Sequence, residues 1–315
     1  MGTVHELIAN HGKQTALNAV LDRNVVEAAA SYLGDENNGI GFVYSGWCQA
    51  ALPHKRLADD KGWQIESERV TLIVEPGMRA GSHGTPQSVG VPYGSRARLI
   101  MLYLQSEALR TQSREIELGS SLRHWLERLG ISTGGKSIAG VREQAERISR
   151  CRLTLEIRIG TTTGLINQNI VDSAIFLDQR QSDGKQSSLF THAAKLSEGF
   201  YDQLNRHSVP LEEAAIRAIN NNSMALDLYS WLAYRLHVLE RSRDITWSAL
   251  KQQFGNGFSK TSHFKEKFVP NLRLALAVYP KARIDIAEKT GLTLHPSPPP
   301  VAPSKGSKQA RLAGI

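Results

Sequence analysis

The residues best placed by type and spacing to do chemistry are "GISTGGKS", Gly130–Ser137. They satisfy the phosphate-loop pattern G-x-x-x-x-G-K-[ST] at every defined position. In a nucleotide-binding protein such a loop follows a buried parallel strand and opens a helix, and its backbone N–H groups and lysine cradle phosphates. "AIFLD" (Ala174–Asp178) even resembles the acidic partner strand of such a site. The flanks argue against it. "SSLRHWLERLG" places Leu122, Trp125, Leu126 and Leu129 at i, i+3, i+4 and i+7, with Arg123, His124, Glu127 and Arg128 opposite. That is an amphipathic helix, whereas a central parallel strand is a near-continuous apolar run. No βαβ units connect the two segments. The same residues make a good turn between helices. Gly130 stops one helix, Gly134–Gly135 turn the chain, and Lys136 and Ser137 begin the next, where an anion is favoured. The expectation is a false phosphate-loop match, no cofactor, and an anion other than a bound nucleotide at the start of that helix.

Other chemistry is thin. The ten histidines are scattered, without H-x-H, H-E-x-x-H or C-x-x-C spacing, so no metal site is expected. Asp59–Asp60 and Glu212–Glu213 are sequence neighbours that point apart and read as surface charge. Cys48 lacks a supporting His or acid, and Cys48 and Cys151 read as free thiols in a reducing cytoplasm. Trp125, Trp231, Trp247, Phe264 and Phe268 fall on apolar stripes and read as core. No catalytic residue, and hence no enzyme, is expected. No apolar run approaches the ~18 residues of a membrane span, and the first residues lack a secretory apolar core. The expected location is cytoplasmic, with no membrane partner.

The elements that position the turn have a repeated order. "SRARLIMLYLQSEALR" is an apolar helix, "REIELG" a short strand, and "SSLRHWLERLG" and "SIAGVREQAERISRC" two helices about the turn. "RLTLEIRIG" alternates strictly and reads as one arm of a β-hairpin, with "NIVDSAIFLDQ" returning. Further on, "SMALDLYSWLAYRLHVLE", "RDITW", "SALKQQFG", "TSHFKEKFVPNLRLALAVY" and the hairpin "ARIDIAEKTGLTLH" repeat that order. Pro270 is expected to end or kink the helix "TSHFKEKFVPNLRLALAVY" unless that helix begins later. The formal charge of +8 is concentrated in two blocks, a net +5 over 93–160 and +6 over 241–289, one on each copy. A polyanion is the partner this predicts.

The fold class expected is α+β: two tandem winged helix-turn-helix domains with an N-terminal β-containing extension and a disordered C-terminal tail. The divisions are 1–40, a helical extension; 41–92, a Gly/Pro-rich β segment packed on the first domain; 93–180 and 188–295, the winged-helix domains; and 296–315, a basic Pro-rich tail. In the first domain Lys136 and Ser137 are expected to hold phosphate. Arg147, opposite the apolar stripe, is expected to reach a base, with Arg142 and Arg150 beside it and Arg152 and Arg158 on the wing. In the second the candidates are Lys260, Ser262, His263, Lys267 and Arg273. For each one alone, solvated surface charge is the competing reading.

The stretches "SGWCQAALPHKRLADDKGWQ", "GVPYGSRARLIMLYLQSEALRTQSREIELG", "GGKSIAGVREQAERISRCRLTL", "MALDLYSWLAYRL" and "GLTLHPSPPPV" carry a resemblance. From about Gly41 to Val301 the chain resembles the plasmid-encoded RepA-type replication initiators. The resemblance implies sequence-specific binding of double-stranded DNA at repeated sites of a plasmid origin, initiation of replication there, and recruitment of the host replicative helicase and host initiator protein. It also implies copy control, a homodimeric form and repression of the protein's own promoter. The alternative is a winged-helix transcriptional regulator without an initiation role.

Overall fold

The computed structural model describes residues 2–19, 22–37, 39–67, 70–81, 84–131, 134–159, 162–177 and 190–302. Helices α1 (Gly2–Asn18) and α2 (Arg23–Leu33) lead into β1 (Ile40–Tyr44) and the short α3 (Ser45–Gln49). The Asp22 carboxylate accepts from the Asn24 N–H and caps α2, whose Val25, Val26, Ala28 and Ala29 are buried. Four strands follow: β2 (Trp63–Glu66), β3 (Val70–Glu75), β4 (Gly77–Arg79) and β5 (Gln87–Gly90). Next come α4 (Gly94–Thr111), β6 (Glu115–Glu117), α5 (Gly119–Arg128) and α6 (Gly135–Arg150). Strands β7 (Arg152–Ile159), β8 (Thr162–Asn169), β9 (Val171–Leu177) and β10 (Phe190–Leu196) complete the first unit. The second has α7 (Glu198–Arg206), β11 (Ser208–Glu212), α8 (Glu213–Ala218) and α9 (Ser223–Arg235). It ends with β12 (Arg243–Thr246), α10 (Trp247–Phe254), α11 (Thr261–Ala277), β13 (Ile284–Ala287) and β14 (Gly291–Leu294). The architecture is mixed α+β.

The two units repeat one arrangement. In each, a short strand after the long helix pairs with the last strand of the unit, giving sheets ordered β6-β10-β9 and β12-β14-β13. The long helices α4 and α9 are buried almost all round, from Ala97 to Ser106 in one and from Met224 to Ala233 in the other. That burial makes them core elements rather than amphipathic surface helices. The units also share a strand pair. β1 and β11 run antiparallel in the register Ile40↔Glu212, Phe42↔Pro210 and Tyr44↔Ser208.

Several expectations are corrected here. The expected hairpin, "RLTLEIRIG" returning at "NIVDSAIFLDQ" across a loop at "TTTGLINQ", is not formed: Thr162–Asn169 is itself strand β8 and pairs with β7. β7 pairs with β3 over Val70–Glu75, so a separate sheet ordered β2-β3-β7-β8 ties the segment before α4 to the unit. "NIVDSAIFLDQ" falls mostly on β9, which pairs with β10, and residues 178–189 between them lie outside the described residues. Alternation could not separate these choices, because any half-buried strand alternates. β10 closes the first unit's sheet, so a boundary at 188 falls inside it. The Gly/Pro-rich β segment 41–92 contains the β4–β5 hairpin. Helix α11 continues through Pro270, whose exposed ring faces away from the core. Residues 296–302 are described, and 296–298 pack on the second unit: Pro298 accepts from the Tyr279 hydroxyl at 2.7 Å, and Ser297 is buried. Residues 303–315 lie outside the described residues.

Candidate nucleic-acid interface

In the second unit the candidates lie about α10, the turn Gly255–Lys260, and α11. Phe264 and Phe268 on α11 meet Phe254, Trp247 and Phe258 in a cluster of edge-on and tilted rings 5.0–5.9 Å apart. With Leu272 they form the buried stripe of the helix. Burying that stripe turns the opposite one outward: Lys260, Ser262, His263, Lys267 and Arg273 are all exposed. Among the described residues, none of the four cations or potential cations in this set pairs with a carboxylate. Lys265 faces elsewhere. Its ammonium lies 4.9 Å from the Trp247 ring centroid and donates to the Glu288 carbonyl at 2.8 Å. The Trp247 indole N–H donates to the carbonyls of Ala287 and Glu288, so the β13–β14 turn is pinned beside α11.

The first unit presents its equivalent helix differently. Val141, Gln144 and Ile148 of α6 are buried as the stripe requires. Lys136 is exposed at the N-terminal turn and Ser137 half-buried, with Gly134 as the N-cap. Beyond that turn the outward stripe is covered. Arg147, expected at a DNA base, is 3% exposed. Its guanidinium donates to the Val91 carbonyl at 3.1 Å and to Asp59 Oδ1 and Glu143 Oε1 at 2.9 Å, and lies 5.2 Å from the Tyr93 ring centroid. Gly90, in the left-handed region at φ 78°, makes room for it, since a Cβ there would sit 2.1 Å from Arg147 Nη1. Arg150 donates to the Met78 carbonyl at 2.9 Å and pairs with Glu146 at 3.3 Å. The β4–β5 hairpin thus lies on the C-terminal half of α6.

Other candidates are also placed by these contacts. Arg142 is half-buried on α6. Arg152 and Arg158 point from β7 toward carboxylates on the neighbouring strands, Arg152 4.0 Å from Glu75 and Arg158 to Glu66 and to Thr71 Oγ1 at 2.9 Å. Asp59 and Glu213 are not idle surface charge. Burial raises the Asp59 carboxyl, but the guanidinium groups of Arg147 and Arg56 outweigh this and hold it below the usual carboxylate range. Glu213 is buried and takes Arg128 at 2.9 Å. Both thiols are buried, which raises them, Cys151 to about 12. Among the described residues no group of three or more His, Cys, Asp or Glu could hold a metal, and no helix is long and apolar enough to cross a membrane.

The turns are braced across the unit boundary. Arg217 donates to the Arg128 carbonyl at 2.6 Å, and Asn220 donates to that of Leu129, at the end of α5. In return, Gln253 of α10 donates to the Gln49 carbonyl at 3.1 Å and Asn256 to that of Gln64 on β2. Between α4 and α9 lies a buried ion pair. Arg98 Nε and Nη2 each donate to Asp227 at 2.6 Å, and the same guanidinium donates to the carbonyls of Leu52, Pro53 and Gly94.

The family profile described as "Plasmid encoded RepA protein" matches residues 91–249, half of the chain. This chain belongs to the plasmid-encoded RepA family. No curated protein sequence matches it. Its fold is like that of domains 2 and 3 of RctB in a selenomethionine crystal structure, with a TM-score of 0.50 and 10% identity over 80% of this chain and 97% of that one. A second crystal structure, of RctB residues 155–483, gives 0.45 and 11% over 79% and 94%. The RepA-family match spans α4 to the start of α10, and so takes in both buried long helices and the α5–α6 pair.

Within this RepA-family chain the second unit gathers its candidates on one open face, and the first does not. Sequence reasoning missed Arg56, Arg79 and Arg96, which surround α6. They come from a loop, a three-residue strand and the start of α4, so no local periodicity marks them. It also missed Arg98, whose signal was a charge inside an otherwise apolar run.

Proposed function

We propose that this RepA-family chain binds double-stranded DNA at the repeated sites of a plasmid origin and initiates replication there. Both units are read as winged helices, α6 and α11 being the recognition helices and β9–β10 and β13–β14 the wings. The observation that carries the reading is the outward face of α11. Lys260, Ser262, His263, Lys267 and Arg273 lie exposed along it, unpaired with acids among the described residues, over a dense aromatic core. The N-terminal turns of a recognition helix meet base edges and its cations meet phosphates. The chain acts without catalysis of its own in this reading. The host replicative helicase and host initiator are its partners on the opened origin, and a homodimer is the form suited to copy control and self-repression.

The test is a footprint of the purified protein on the DNA flanking its gene, with Lys267→Ala and Arg273→Ala alongside. Protection of directly repeated sites next to an AT-rich segment is the expected result. Each variant is expected to weaken binding, by ~1–3 kcal/mol and with relaxed specificity if it removes a base contact. A single protected palindrome at a promoter indicates a regulator without an initiation role. Tight ATP binding by the wild type that Lys136→Ala abolishes would overturn the non-enzymatic reading.

A further inference from the structure

The first unit has lost its expected base reader to a buried contact, yet its surface around α6 remains cationic. The outer stripe of α6 runs Lys136, Gly140, Glu143, Arg147 and Arg150. Arginines from elsewhere in the chain dock along that stripe in order. Arg96, exposed at the start of α4, lies over Gly140, with Nη1 3.1 Å from where a Cβ would stand. Arg56, 56% exposed, reaches Glu143 at 3.7 Å and Asp59 at 3.0 Å. Arg79, 45% exposed, reaches Glu146 at 3.5 Å and Gln87 at 3.0 Å. On this surface Arg56, Arg79, Arg147 and Arg150 share the carboxylates of Asp59, Glu143 and Glu146. The carboxylates hold the guanidinium groups in a row without cancelling them, and an arginine has five donors, more than these contacts use.

We propose that Arg56, Arg79 and Arg96 form a composite rim that grips the sugar–phosphate backbone of duplex DNA. Segment 50–92, which supplies Arg56 and Arg79, and the start of α4, which supplies Arg96, therefore give the first unit a sequence-independent hold. Gly140 to Glu146 spans about 9 Å of helix axis, comparable to the axial rise of about three phosphates on one DNA strand. Guanidinium forks suit phosphate oxygens better than an ammonium does. With Arg147 buried and Arg150 bonded to Met78, this rim together with Lys136 is a cationic surface that the described residues set around α6. Sequence discrimination then falls to the second unit. The inference rests on the DNA-binding reading above.

The test is the salt dependence of binding to a duplex taken from the DNA flanking the gene, for the wild type and for Arg56→Ala/Arg79→Ala/Arg96→Ala. Each lost phosphate contact should lower the slope of log K against log salt by about 0.9. The triple variant is expected to lose between two and three units of slope while protecting the same sequence. The triple Arg→Lys variant is expected to recover most of the slope. Should the triple alanine chain fold poorly by circular dichroism, the single variants carry the test, each expected to lose about one unit. A slope equal to that of the wild type, or a changed footprint, overturns the rim while leaving the DNA-binding reading intact. A wild-type protein that binds no duplex overturns both.

Discussion

The buried pair between α4 and α9 offers a sharp test of how the two units hold together. Asp227→Ala removes both acceptors of a bidentate bond in which the Arg98 and Asp227 side chains are 7% and 10% exposed. The guanidinium keeps the carbonyls of Leu52, Pro53 and Gly94 but loses its counter-charge. Breaking a buried pair from one side costs about 3–5 kcal/mol. A neighbouring cavity of about 40 Å³, lined by Arg98, Asp227, Met101 and Leu226, has room for a water beside the stranded cation in the variant. The expected loss therefore lies near 3 kcal/mol, a large part of a typical stability of about 5–15 kcal/mol. Arg98→Met/Asp227→Leu removes both charges and is expected to be more stable than Asp227→Ala alone. Urea unfolding followed by fluorescence and circular dichroism measures both. A loss below about 1 kcal/mol for Asp227→Ala, or a double variant no more stable than Asp227→Ala, would refute the idea of a coupled buried clamp.

Two further outcomes follow from the same surroundings. Burial, with the Arg98 charge, pushes the His54 imidazole down to about 3, and its Nδ1 lies 3.4 Å from Arg98 Nη2 and 3.0 Å from Ser223 Oγ. Between about pH 6.5 and 3 the unfolded chain then holds a proton that the folded one lacks. Stability is full above that window and falls by up to about 1.4 kcal/mol per pH unit as the pH drops through it. His54→Gln should remove this share of the acid slope in urea unfolding at stepped pH, and a slope unchanged from the wild type would contradict it. Arg147→Ala is expected to cost about 2–4 kcal/mol of stability and to leave DNA sequence preference as it was. Relaxed specificity at one base pair, with normal thermal stability, would restore Arg147 to the groove.

The second unit was legible because each of its signals is local. Phe264, Phe268 and Leu272 fix the buried stripe of α11, Gly255 ends α10, and Ile284, Ile286, Leu292 and Leu294 mark the hairpin. Pro270 was the exception, since one exposed proline cost too little to break a helix held by its aromatic face. The first unit was harder for a physical reason. Arg147 looks the same in sequence whether it meets solvent or Asp59, its partner 88 residues earlier. The alternation of Arg152–Ile159 gives the faces of a strand but not its neighbour, and the neighbour here is β3. Three-residue strands such as β4, set among Gly and Pro, carry too few residues for a period to emerge. Arg98 was readable in principle, because a charge in a helix buried all round demands a partner.

The β1–β11 pair and the Arg98–Asp227 bond also set a clock on biosynthesis. Asp227 lies 129 residues after Arg98, and β1 waits still longer for β11. At translation speeds of about 5–20 residues per second, Arg98 leaves the ribosome roughly 6–26 s before its counter-charge does. Through that interval the nascent first unit carries a stranded cation in its central helix and an open strand edge. Completion of the first unit is therefore tied to synthesis of the second, and a prematurely ended chain stopping before Ser208 would lack both ties rather than yield a finished half.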